Sequence, residues 1–318
     1  MQKISGEFET YPQKNKTESE GYVEGQTFMW MTEKEVTSNT LSEFGLMEFI
    51  LSPKNLNEAY LQVMRNKGAG GIDKMQVESL RDYLVDHKDE LISSILQGKY
   101  RPQAVRRVEI PKEDGKKRQL GIPTVVDRVI QQAISQVLTP IYERQFSDYS
   151  YGFRPKRDAH KALQQCKKYI DEGYVYAVDM DLEKFFDTVN HSKLIQVISE
   201  TIKDGRVVSL INKYLNAKVL INEGFKTNEQ GVPQGGPLSP LLGNIMLNEL
   251  DKELDKRGHK YVRYADDLLI LCKSIRGAER VMGNIIPYIE NKLFLKVNRE
   301  KSKTDKVSNV KFLGYSFY

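Results

Sequence analysis

One run constrains the fold of this chain more than any other: Lys260-Tyr-Val-Arg-Tyr-Ala-Asp-Asp-Leu-Leu-Ile-Leu-Cys-Lys273, an apolar, β-rich stretch with two adjacent carboxylates, Asp266 and Asp267, at its centre. An ionised carboxylate among apolar residues is costly unless it is paired or bound to a cation, so the pair belongs at a hairpin tip where both acids meet solvent or metal. The flanks agree. Tyr261 to Tyr264 and Leu268 to Cys272 read as two short strands, and Ala-Asp-Asp joins them. Alone, the pair reads more readily as an ordinary acidic turn, and what overturns that is the company it keeps upstream.

A second acidic element lies upstream, Tyr176-Ala-Val-Asp-Met-Asp-Leu-Glu-Lys-Phe-Phe-Asp187. Tyr176, Val178 and Met180 alternate with Ala177, Asp179 and Asp181, so the aspartates leave a strand on one face. Beside the Asp266-Asp267 hairpin, such a strand end completes a three-carboxylate site, the oxygen cluster that hard divalent cations bind for in-line phosphoryl transfer. Sequence alone does not place the two strands side by side.

With 318 residues, 40% hydrophobic and 29% charged, the chain has room for one large or two smaller cores. It has no apolar stretch of membrane-spanning length and its N-terminus lacks a signal-peptide core, so the expectation is a soluble, cytoplasmic protein with no membrane partner. Cys166 and Cys272 stand in no metal-like or redox-like spacing and read as reduced core residues. A net charge of +5 says little about nucleic acid, because clustering matters more than the sum.

Residues 1–40 are polar and without clear periodicity, and read as an arm. From Leu41 to Asn66 the apolar spacing suits helices, with Ser52-Pro53 breaking the pattern and Pro53 opening the second. Asn66-Lys-Gly-Ala-Gly-Gly-Ile-Asp73 is a glycine-rich turn, by itself weak evidence of a phosphate cradle. A helix follows from Val77 to Leu96. Arg106 to Pro123 reads as a hairpin whose Glu-Asp-Gly tip is flanked by Lys112, Lys116, Lys117 and Arg118, either a solvated hairpin or a flap carrying cations to a polyphosphate. Helices are expected from near Asp127 and from Asp158 to Tyr169, with the turn Ser150-Tyr-Gly-Phe-Arg-Pro155 between them. The loop Gln230-Gly-Val-Pro-Gln-Gly-Gly-Pro-Leu-Ser-Pro-Leu-Leu-Gly-Asn244 is dense in Gly and Pro, which permits close backbone approach, and Ser239-Pro240 suits a helix cap.

The order of these pieces resembles the reverse transcriptase region of bacterial group II intron-encoded proteins, also called maturases, from about Leu46 to Tyr318. The stretches that carry the resemblance are Asn66–Asp73, Ile110-Pro-Lys112 through Arg118 to Asp127-Arg128, Ser150–Pro155, Asp181–Asp187, Pro233-Gln-Gly-Gly-Pro-Leu-Ser-Pro240, Tyr264-Ala-Asp-Asp267, Asn298-Arg-Glu-Lys301 and Phe312-Leu-Gly-Tyr315. Each is a weak pattern, and their joint order is specific. The resemblance implies an α+β fold, a right-hand polymerase with fingers at 41–170 and a palm at 171–318. The palm sheet is expected to be antiparallel with helices packed on one face.

It also implies a set of roles. Asp181, Asp266 and Asp267, with the backbone carbonyl of Leu182, match the ligands of two Mg²⁺ ions, for which Mn²⁺ substitutes. Lys112 and Arg118 match the fingers residues that grip the incoming triphosphate, Phe186 the aromatic gate beneath its sugar, and Gln234 a residue lying against the nucleotide. Lys301 matches a general acid for the leaving pyrophosphate. The chain departs from the family at Lys301-Ser302-Lys303-Thr304, where Lys303 competes for that role, and at Glu183-Lys184, where Lys-Gly is common. The implied partners are group II intron RNA, an RNA template with a DNA primer, and deoxynucleoside triphosphates. Full-length relatives continue into a helical thumb, and this chain is expected to stop before it, which leaves a homodimer through exposed apolar surface open. Two other readings remain at this stage: an RNA-binding splicing cofactor, and a reverse transcriptase of retron, diversity-generating or defence type.

Overall fold

Leu51 closes the first helix and Ser52 starts the next. The protein is described by a computed structural model covering residues 45–111, 117–221 and 224–317. The polar arm and the hairpin tip, Lys112 included, lie outside the described residues. Helix α1 spans Leu46–Ile50. In α2 (Pro53–Asn66) the Ser52 side chain accepts from the Asn55 amide and Pro53 occupies the first turn, where its missing donor costs nothing. A 3₁₀ turn at Val77–Ser79 leads into α3 (Leu80–Leu96), so the helix expected from Val77 begins as a tighter turn. Strands β1 (Val105–Pro111) and β2 (Lys117–Ile122) pair as the expected antiparallel hairpin. Helix α4 (Val125–Glu143) starts two residues before Asp127 because Thr124 caps it, accepting from the Asp127 amide.

Asp158 caps α5 (Ala159–Asp171), and the chain then forms β3 (Tyr176–Met180), the short α6 (Phe185–Thr188), α7 (His191–Thr201), α8 (Gly205–Leu215), and the ribbon β4 (Val219–Ile221) and β5 (Gly224–Lys226). The C-terminal part is α9 (Ser239–Lys256), β6 (Lys260–Tyr264), β7 (Asp267–Cys272), α10 (Ile275–Lys292), β8 (Lys303–Lys306) and the small hairpin β9 (Lys311–Phe312) and β10 (Tyr315–Ser316). Ser239 does not cap α9. It lies inside the helix, and its hydroxyl donates to the Pro233 carbonyl at 2.5 Å, tying the preceding loop to the helix.

The sheet that matters has the order β6-β7-β3-β8 and is antiparallel throughout, as expected. Its two faces bury different clusters. Val178, Met180, Leu268, Ile270 and Tyr261 join the main core with α9 and α10. Ala177, Leu269, Leu271 and Val262 pack instead with Ala162, Cys166 and Tyr169 of α5. The expectation of helices on one face is therefore corrected. The apolar residues of α5 recur at helical spacing and cover the second face too, although only away from the β6–β7 turn. The other four-stranded sheet, β2-β1-β4-β5, joins the hairpin to a later segment: Val105 pairs in parallel with Val219, and the core runs continuously from Met47 to Val297.

Candidate active site

Strand pairing brings the two acidic elements together. The β3–β7 register runs from Tyr176 opposite Cys272 to Met180 opposite Leu268, and one step further sets Asp181 opposite Asp267. Directly opposed residues have Cβ atoms about 5 Å apart and share a face. Tyr264 pairs with Asp267 across the hairpin, so Asp266 stands in the turn itself, after Ala265 in a left-handed conformation at φ 56°. The face carrying Asp179, Asp181 and Asp267 is the one that α5 leaves uncovered at this end.

Charge crowding shows in the acids. Burial, then Asp266, Asp179 and Asp181, push the Asp267 carboxyl up to about 6, even though the residue keeps solvent access. Burial also raises Asp179, which Lys303 partly offsets. Lys301 Nζ lies 3.6 Å from Asp181 Oδ2. Lys303, its rival for the acid role, donates instead to the Asn309 carbonyl at 3.2 Å.

The segment after α10 sets these positions. Asp181 accepts from the Asn298 amide at 2.9 Å, its own amide donates to Ser302 Oγ at 3.0 Å, and Leu182 forms an antiparallel bridge with Val297. Asn298 Oδ1 accepts from the amides of Glu300 and Lys301, an Asx-type turn that fixes where Lys301 starts. Asn298 and Ser302 were legible as a motif but not as supports.

Beneath the turn lies a buried network that the sequence reading missed. Arg263, 1% exposed, donates to both carboxylate oxygens of Asp251, 0% exposed, at 2.8 and 2.5 Å. Its remaining nitrogen donates to Asn244 Oδ1 at 3.0 Å and to the Ala265 carbonyl at 2.8 Å, one residue before Asp266. Asn244 in turn donates to the Gly152 carbonyl at 2.8 Å. A Cβ on Gly152 would stand 2.3 Å from the Ala265 nitrogen, so only glycine lets the Ser150–Pro155 turn lie against the acidic turn. Burial raises the Asp251 carboxyl while Arg263 opposes that shift.

The Gly-Pro loop meets the site from the other side. Val232 donates to the Phe186 carbonyl at 2.6 Å, and a Cβ on Gly231 would meet that same carbonyl at 2.8 Å. Phe186 is 9% exposed, packs edge-on against Phe185 with centroids 5.0 Å apart, and sits over Gly243. It also lines a 470 Å³ cavity with Glu183, Lys184 and Asp187, so it is both packed and presented. Gln234 reaches Asp187 at 3.3 Å and accepts from the Gly121 amide at 2.6 Å, which ties the β1–β2 hairpin to the loop. Arg118 takes its place in β2 opposite Ile110. The glycine-rich turn is held through its carbonyls: Arg106 donates to Gly70, and Arg128 to Lys67 and Ala69.

The donor set fits a hard divalent cation, being oxygens only, with acids crowded enough to raise one another's proton affinity. Among the described residues, no three acidic, His or Cys side chains already converge on one point as a closed cage.

Residues 110–317 match the family model described as reverse transcriptase (RNA-dependent DNA polymerase). The chain belongs to the reverse transcriptase family. The matched span includes Asp181, Phe186, Gln234, Asp266, Asp267 and Lys301. Among curated relatives of this reverse transcriptase, Protein YkfC of Escherichia coli is 33% identical, over 85% of this chain and 82% of its own length. Group II intron-encoded protein LtrA of Lactococcus lactis is also 33% identical, over 85% of this chain but 56% of its own, so the chain spans about half of that relative. A telomerase structure from Candida albicans shares the fold at a TM-score of 0.54 with 12% identity, covering 70% of this chain and 46% of that one. The family depends on divalent metal in general and acts on RNA. No described helix is long and apolar enough to cross a membrane.

Proposed function

We propose that this chain extends a DNA primer along an RNA template, using deoxynucleoside triphosphates, in the service of a group II intron. The observation that carries the reading is Asp181 brought opposite Asp267, beside Asp266, on an uncovered sheet face. Asp181, Asp266, Asp267 and the Leu182 carbonyl would hold two Mg²⁺ ions. Such ions, when bound, activate the primer hydroxyl and neutralise charge on the phosphates. Lys301, held beside Asp181, supplies a proton to the leaving pyrophosphate. Phe186 closes the sugar side, Gln234 lies against the nucleotide, and Lys112 and Arg118 hold the triphosphate. Residues 41–170 act as fingers and 171–318 as palm, with β4 and β5 returning to the fingers hairpin. The likeness to LtrA over 85% of this chain supports binding of intron RNA and a maturase role in splicing. The two buried, unbridged cysteines suit a cytoplasmic setting.

The test is Asp181→Asn. Primer extension should fall by at least ~10²- to 10³-fold, because losing one ligand would misplace the ions and their stabilisation of the charge that develops, while RNA affinity measured by filter binding stays within about twofold. Extension within about tenfold of wild type would remove Asp181 from the catalytic set.

A further inference from the structure

Phe153 is 58% exposed and sits in the left-handed region at φ 57°, where a bulky residue is an outlier. Its neighbours are locked. Tyr151 donates its amide to the Arg263 carbonyl at 2.8 Å, the Gly152 carbonyl accepts from Asn244, and Arg154 is buried, donating to the Ser147 and Ser150 carbonyls and in bidentate fashion to Glu143. The fold therefore holds the backbone on both sides of Phe153 and turns its ring outward. Scattered surface aromatics need no explanation, but one in a disfavoured conformation between two fixed residues does.

The ring lines a 580 Å³ cavity together with Lys67, Gly68, Arg128, Pro237 and Pro240. This cavity and the one beside Lys184 share Leu120, Gly121, Phe186 and Gln234, which form the wall between them. The cavity beside Lys184 is lined by Glu183 and Lys184, two and three residues after Asp181 in the chain, and by Phe186 and Gln234, and it takes the incoming nucleotide under the reading above. The base that pairs with that nucleotide must then lie across the shared wall, on the Phe153 side, where the exposed cation Lys67 suits a strand of phosphates.

We infer that Phe153 is a stacking platform for an RNA template base next to the pairing position. This rests on the polymerase reading for which strand is bound, while the contact is measurable without catalysis. Sequence-tolerant stacking on an aromatic ring accounts for its exposure, and a fixed backbone removes the ordering cost at binding.

The experiment uses the Asp181→Asn chain, which holds primer–template without extending it, with 2-aminopurine placed in turn at the template pairing position, one nucleotide to either side, and at the primer terminus. With Phe153, one of the template probes should be quenched on binding. Phe153→Ala should abolish that quench and weaken primer–template affinity by ~5- to 150-fold, and Phe153→Trp should preserve both. Melting temperatures should be unchanged for both variants, because the ring is not packed. Three results would overturn the inference: quenching only at the primer terminus, affinity of Phe153→Ala within twofold of wild type, or equal loss in Phe153→Trp with a lowered melt. If wild type shows the Phe153-dependent quench yet extends no primer, the polymerase reading fails while the platform stands.

Discussion

Removing Arg263 should separate stability from catalysis. In Arg263→Met, Asp251 keeps a fully buried carboxylate and loses both of its charge-assisted bonds, while Asn244 and the Ala265 carbonyl lose a donor. Breaking a buried pair from one side costs ~3–5 kcal/mol, mostly for the charge left uncompensated. At ~2–4 °C per kcal/mol for a domain of this size, the melt should fall by ~6–20 °C. The double variant Arg263→Met, Asp251→Leu removes the stranded charge, and stability should return to within ~1–2 kcal/mol of wild type. Activity should not return with it. The Ala265 carbonyl still lacks its donor, and a displacement of about 1 Å in the acidic turn costs on the order of 10²-fold in rate. The assay is single-turnover primer extension at saturating metal beside a thermal melt. If the double variant recovers both stability and rate, the clamp only stabilises the fold and does not position Asp266 and Asp267. If Arg263→Met melts within a few degrees of wild type, the energetic premise itself is wrong.

Two further outcomes are expected. Phe186→Val should open space beneath the sugar and raise relative use of ribonucleotides by ~10- to 100-fold, or ~1.4–2.8 kcal/mol, read as kcat/KM for both nucleotide types; an unchanged ratio with a lowered melt would make the ring a packing residue. In the metal-free protein Asp267 should titrate near 6 by carboxyl NMR, and Asp179→Asn should bring it down by removing one like charge. Because the folded state binds that proton more tightly than an unfolded Asp at ~3.9, this group makes stability fall as pH rises from about 4 to about 6, and a melt series rising over that window would contradict the charge crowding.

What the sequence made legible was local. Alternation along 176–181 and the apolar, β-rich run at 261–272 gave three strands and the acidic turn, because a strand's period-two pattern decides which side chains share a face. Ser52, Thr124 and Asp158 cap helices as short polar residues before apolar runs do. Helices α7, α8 and α10 went unread although Asn190, Asp204 and Ser274 cap them in the same way. Pairings between distant segments were not legible, since nothing in a strand's own pattern names its neighbour: β3 beside β7 rests on packing, and so does β4 joining the hairpin.

The Arg263 clamp lies between these cases, and its signal was present. Alternation sets Arg263 on the same face as Tyr261, the face that meets the core, and a charge there requires a partner. Asn244 and Asp251 are seven residues apart on one helix, two turns and therefore one face, and they are among the polar residues, with Asn248, that an amphipathic reading of α9 leaves on its buried side. A lone arginine in a core-facing strand and a matching carboxylate–amide stripe on the preceding helix are each unfavourable by themselves. Only their meeting satisfies both, so an unfavourable residue can locate a tertiary contact that a favourable one, content anywhere in the core, cannot. Removal of the clamp beneath the acidic turn should therefore be felt in the chemistry above it as well as in stability.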